Sequence, residues 1–187
     1  MSDKLEFVRE TVKMRKKLYV FLPLIIMCLA LVGCYNLSSK QSAIYYDDNF
    51  LSGRADSYSS EKWSGNISDK ISMNSLTGIA SLLLFSVPED GGEFIIDYDM
   101  AVSSGDCKIV LVEYEKTVDI ICEGTGDGNQ AFSLEQGDYA IKVVGMNANV
   151  DIITQIQATE TITAKVPGLM TDDEEIALPT IQSVNDI

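Results

Sequence analysis

The run Ile79-Ala-Ser-Leu-Leu-Leu-Phe-Ser-Val87, the cluster Pro88-Glu-Asp-Gly-Gly92 and the alternation Phe94, Ile96, Tyr98, Met100, Val102 decide the fold. Nine nearly continuous apolar residues are too few for a typical helix and match a central strand covered on both faces. Pro and Gly together break the chain and turn it. The next stretch places Asp97 and Asp99 between its inward residues, the period of a strand with one wet face. These neighbouring stretches predict two kinds of strand surface, one sealed on both sides and one sealed on a single side.

Working outward, the pattern continues as short β-prone runs. Upstream lie Trp63–Ile67 and Ile71–Ser75. Downstream, after a turn at Ser103-Ser-Gly-Asp106, come Lys108–Val112, Thr117–Cys122, Ala131–Leu134, Asp138–Gly145 and Asn149–Gln157. Gly124-Thr-Gly-Asp-Gly128 and Gln136-Gly137 punctuate them. Such spacing predicts an all-β fold, an antiparallel jelly-roll-like β-sandwich of about eight or nine strands. We assign it to residues 62–157. Residues 34–61, rich in Ser, Asn and Asp, read as a flexible linker with Ala43-Ile44-Tyr45-Tyr46 as a short strand. A free chain of that size reaches on the order of 25–30 Å. Residues 158–187 read as an acidic, partly disordered tail, in which Thr171-Asp-Asp-Glu174 matches a helix capping box with room for one helical turn before Pro179.

The amino-terminal region carries an address. Arg15, Lys16 and Lys17 precede an uncharged apolar run from Leu18 to Val32, closed by Gly33-Cys34. A basic n-region, an apolar h-region and a small residue at the cut form a secretory signal. Leu31-Val32-Gly33-Cys34 resembles the lipobox of bacterial lipoproteins. That resemblance implies that the Cys34 thiol receives a diacylglycerol-derived group, that cleavage falls between Gly33 and Cys34, and that further acylation (palmitate) completes the anchor. Two or three chains suffice for stable attachment where one does not. The competing readings are weaker. Leu18 to Gly33 is shorter than the roughly 20 residues that cross a bilayer, and a buried core helix would leave the basic flank unexplained. Residues 1–33 are then signal peptide, with Met14 a second candidate start, and the domain lies at the outer face of the bacterial cytoplasmic membrane.

Three further stretches carry a resemblance. Lys108–Val112, Glu123–Thr125 and Gly137–Gly145 are similar to a strand, a turn and a Gly-x-Tyr-x-Ile strand in domains of Gram-positive lipoproteins. The last of these also faintly resembles pre-peptidase C-terminal modules. The resemblance implies a surface β-sandwich and brings no catalytic residue with it.

Composition narrows the chemistry. The chain of 187 residues has net charge −14 and no histidine. Removing residues 1–33 takes six basic and three acidic side chains, leaving 8 basic, 25 acidic and a net charge of −17. This argues against nucleic acid as a partner, since phosphate contacts need a Lys/Arg surface. It also disfavours attachment to anionic lipid heads, so the membrane contact rests on the covalent lipid. Basic protein patches, cationic peptides and calcium are compatible with the charge, as is solubility alone. Without histidine, Ser-His-Asp and Cys-His catalysis and His-ligated zinc are excluded. No cofactor is implied.

A few constellations remain. Cys107 and Cys122 face each other if strands 107–112 and 117–122 pair across Glu113–Lys116, with Ile109 opposite Ile120 and Leu111 opposite Val118. They then form either a disulfide or two buried thiols. Asp127 and Asn129 in the Gly-rich stretch give a trace of a calcium loop, or a plain turn. Asp97 with Asp99, and Glu113 with Glu115, offer carboxylate pairs for a hydrolase, or merely a solvated strand face. Trp63 with Tyr45, Tyr46 and Tyr58 offers a sugar-stacking surface, or ordinary packing. Asn66-Ile-Ser68 matches a glycosylation sequon, of little meaning on a bacterial protein. The sequence therefore predicts a non-enzymatic interaction or structural module with an unidentified protein or glycan partner. A carbohydrate-binding sandwich and a carboxylate-dependent hydrolase are its rivals.

Overall fold

Three long strands build the molecule, and each is bent near its middle. The computed structural model describes residues 43–67, 69–168 and 173–181. The signal, the lipobox (Leu31, Val32, Gly33, Cys34) and both start sites lie outside the described residues, as do Ser68, Thr171 and Asp172. The bent strands are β3 (Ile71–Val87), β4 (Gly92–Glu113) and β7 (Gly137–Ala158). β7 runs between the other two and pairs antiparallel with both along most of its length. Where Leu76 faces Ala148 and Ser104 faces Asn149, the registers of both pairs shift. Residues with positive φ sit at this level in all three strands: Ser75 and Gly78 in β3, Gly105 in β4, Asn147 in β7. Left-handed residues and bulges sharpen the bend of a strand. Gly105 is required by space as well, since a Cβ there would lie 2.2 Å from the Asn147 carbonyl oxygen.

Each half of the bent strands acquires its own edge partners. On one half, β4 pairs with β6 (Gly126–Leu134) and β3 with β2 (Lys62–Ser64); this is sheet I. On the other, β4 pairs with β5 (Thr117–Glu123), and β3 with β8 (Thr163–Val166), which carries β9 (Glu174–Ile176); this is sheet II. β1 (Ser57–Ser59) pairs with β3 at the bend, against Thr77–Ile79. The inner faces share one apolar core, including Met73, Phe94, Ile96, Met100 and Ile152 from sheet I and Leu83, Phe85, Ile109, Ile141 and Val143 from sheet II. Phe85 stacks across the layers on Phe94, ring centroids 4.6 Å apart and planes within 3°. The fold is the all-β antiparallel sandwich that the strand spacing predicts, with nine strands among the described residues.

Several boundaries differ from the sequence reading. Ile71–Ser75 and Ile79–Val87 are one strand, and so are Asp138–Gly145 and Asn149–Gln157. Ser103–Asp106 bends β4 and does not reverse it. Left-handed residues and register shifts produce the bend from the same residue types that make turns. The linker expected over 34–61 gives way to folded chain in its described part. Residues 43–46 are helical and not a strand, and α1 (Asp48–Leu51) follows, its first turn capped by the Asp47 carboxylate on the Asn49 N–H. Tyr45 and Leu51 are fully buried on the outer face of sheet II, over Ile79, Val110, Val112 and Val144. Residues 43–56 are thus a strap sealing that face. The tail, expected to be partly disordered, joins the sheets in its described part: β9 lies where the capping box left room for a helical turn, and Thr180 bridges Ala158, whose N–H donates to the Pro179 carbonyl at 3.0 Å.

Candidate functional site

β3 changes partners on its outer edge as it passes from one sheet to the other, and a notch opens there. β1 leaves at Ile79 and β8 begins at Leu84, so the edge at Ala80-Ser81-Leu82 has no strand beside it. Tyr58, Trp63 and Asp56 form one side of the resulting groove, Val166-Pro167-Gly168 the other, with a volume of about 320 Å³. That lies at the small end of the range for small-molecule sites. The β1–β2 hairpin sets the two aromatics together, ring centroids 5.3 Å apart and tilted by 46°. Trp63 Nε1–H donates to the Gly65 carbonyl at 3.3 Å, which fixes the indole edge of a ring that lines the groove. β1 can approach β3 this closely because residue 78 is glycine: a Cβ there would lie 2.0 Å from the Ser57 carbonyl oxygen.

The polar floor comes from the strap. Asp56 accepts the Ser81 backbone N–H on one carboxylate oxygen and the Ser81 hydroxyl on the other, each at 2.8 Å. The edge amide that an added strand would need is therefore already occupied. Behind Asp56 stands Lys142, buried completely, with Nζ 3.9 Å from the carboxylate. Burial lowers the pKa of its ammonium and Asp56 opposes that shift. Among the described residues Asp56 is the one charged side chain lining the groove, which favours an uncharged or cationic ligand with a flat apolar face.

The other sequence candidates fall elsewhere. Tyr45 and Tyr46 are packed edge to face, on the strap, and do not join Trp63. Tyr45 instead donates to Glu123 at 3.0 Å and lies under the Lys108 ammonium, 4.7 Å from the ring centroid. Asp97 and Asp99 lie on the outer face of sheet I, where Asp97 accepts from Asn129 Nδ2 at 2.6 Å and Asp99 is exposed. Glu113 pairs with Lys116 beside the hairpin turn. Asp127 and Asn129 belong to β6, opposite Asp99 and Asp97. Among the described residues, no group of three or more Cys, Asp or Glu is placed to hold a metal ion, and no helix is long and apolar enough to cross a membrane.

The β4–β5 hairpin is paired differently from the register expected. Its loop is three residues, Tyr114-Glu-Lys116, with Glu115 at φ 62°, so Val112 faces Val118 and Val110 faces Ile120. Ile121 then bulges out of register, and Ile109 faces Cys122. Cys107 and Cys122 are both free, buried thiols. Burial pushes the Cys107 thiol up to about 12 and raises that of Cys122 as well, so neither is a ready nucleophile at neutral pH. Hydrophobicity alone could not select this register, because β4 is buried on both faces here while Ile120 stays half exposed.

No protein-family description matches the chain, and no curated protein matches it.

Proposed function

We propose that this protein is a non-enzymatic binding module, held at the outer face of the bacterial cytoplasmic membrane by lipid on Cys34, whose β3-edge groove takes a neutral glycan segment. The observation that carries the reading is the Tyr58–Trp63 pair set beside the Asp56–Ser81 hydrogen-bonded pair. Sugar rings offer an apolar C–H face for an aromatic and hydroxyls for a carboxylate, and both are present within one small groove. The occupied Ser81 amide argues against an extended peptide adding to the edge. The lipobox motif supports the location, and the acidic surface supports attachment through lipid alone.

Trp63 is the chain's one tryptophan, so its emission reports on the groove directly. Titration with neutral oligosaccharides should give a saturable change in emission. Trp63→Ala, followed by calorimetry, should weaken binding by roughly tenfold or more, about 1.4 kcal/mol or above. A flat response across a glycan panel would remove the glycan reading, and saturation by a cationic peptide would replace it. For the address, Cys34→Ala should leave an unprocessed precursor; normal cleavage and release of that variant would contradict lipid anchoring.

A further inference from the structure

Lys142 is the most deeply buried charge described, and its partners lie on the strap. It occupies the outer face of sheet II, opposite Ser81 on β3 and Val110 on β4, with no exposed surface. A buried ammonium requires hydrogen-bonding and charge partners. Its Nζ donates to the Gly53 carbonyl at 2.5 Å and lies 3.9 Å from Asp56. The Tyr114 ring, centroid 5.3 Å away, covers a further side. Arg54, between the two strap contacts, turns outward to Asp138 at 2.9 Å and lies over the other part of the Tyr114 ring. Three of the four strap residues 53–56 are thus fixed, Gly53, Arg54 and Asp56, and Tyr58 follows two positions later.

We propose that Lys142 is the positioning residue of the groove: by holding Gly53 and Asp56, it sets the register in which β1 presents Tyr58 against Trp63. An apolar residue would fill the same space under the strap. It would leave the Gly53 carbonyl without its donor and the Asp56 carboxylate, still bonded to Ser81, without its counter-charge, and so loosen the strap over the apolar face made of Val110, Val144 and Ile79. The lysine supplies direction where hydrophobic contact supplies only adhesion. The ligand part of this proposal rests on the glycan reading; the positioning part does not.

The test is Lys142→Met in the mature protein, followed by amide hydrogen exchange read segment by segment. Exchange in residues 53–59 should rise by roughly tenfold or more while the inner-core segments of β4 and β7 exchange as in the wild type. Trp63 emission should shift without any ligand, and glycan affinity should fall in parallel. Asp56→Asn, which keeps the core untouched, should reproduce the local pattern and covers the case in which Lys142→Met does not fold. Local exchange with no glycan binding by the wild type would uphold positioning and defeat only the ligand reading. Protection of 53–59 equal to wild type, or a rise spread evenly over all strands, would overturn the proposal.

Discussion

The same strand, β7, behaves differently in its two halves. From Tyr139 to Gly145 every residue is buried, whereas from Val150 to Ala158 burial alternates with exposure. β4 repeats the contrast in reverse order, alternating over Phe94–Met100 and sealed over Cys107–Val112. Sheet I has a wet outer face bearing Asp97, Asp99, Gln155 and Gln157; sheet II has the strap lying on its own. A strand's hydrophobic pattern therefore reports whether another layer covers it, and only secondarily which sheet it belongs to.

The sharpest way to break the comparison is one substitution made on the outer face of each half of β7. Val144→Lys buries an unpaired charge beneath the strap, and we expect a loss of several kcal/mol in urea unfolding, enough to unfold much of the protein. Leu51→Ala removes the strap's main apolar anchor and should cost about 2–5 kcal/mol in the same measurement. Gly78→Ala, at φ 107°, should push β1 off β3, with a loss of about 1–3 kcal/mol and a shifted Trp63 emission. Ile153→Lys is the matched control, half exposed on sheet I and opposite Asp99, and should change stability by no more than about 0.5 kcal/mol.

Acid titration compares the two halves more gently. Arg54 beside Asp138, and Lys70 beside Asp151, each hold a carboxyl below its ordinary value, with hydrogen bonds from Ser86 and Ser72 adding to the effect. The folded state thus binds fewer protons than the unfolded chain near these groups. Their contribution is fully present above the ordinary carboxylate range and disappears as pH falls through it and below. Arg54→Ala should flatten the strap-side part of the acid transition and leave the Asp151 part unchanged, as followed by NMR titration of the two carboxyls.

Much of the sandwich was legible, and for physical reasons. Ile79–Val87 announced a strand sealed on both faces, which holds from Ile79 to Leu83 while Leu84 is half-buried and Ser86 is exposed, and Phe94–Val102 announced one sealed on a single face, which holds. The covering layer was not legible, because the strap binds through isolated side chains, Tyr45 and Leu51, with no repeating face to betray it. The bends read as turns in the sequence because a left-handed Gly or Asn serves either purpose. At the groove, Trp63 and Tyr58 stood out as aromatics, while Asp56 and Ser81 carried no local sign of their meeting. A signal did exist for Lys142. It is the single charge in the buried run Tyr139–Gly145, and a lone charge in a sealed strand must find a partner outside the sheet.

The strap also sets a distance. A linker of residues 35–61 would let the domain wander some 25–30 Å from its anchor. With the strap already helical at Ala43, at most nine peptide links join it to Cys34, and a free chain of nine links reaches on average about 15–18 Å and at full stretch about 30 Å. On the lipid-anchored reading the groove is on a short leash. On that proposed reading the ligand would have to reach the membrane, since so short a tether would not carry the module through a thick wall.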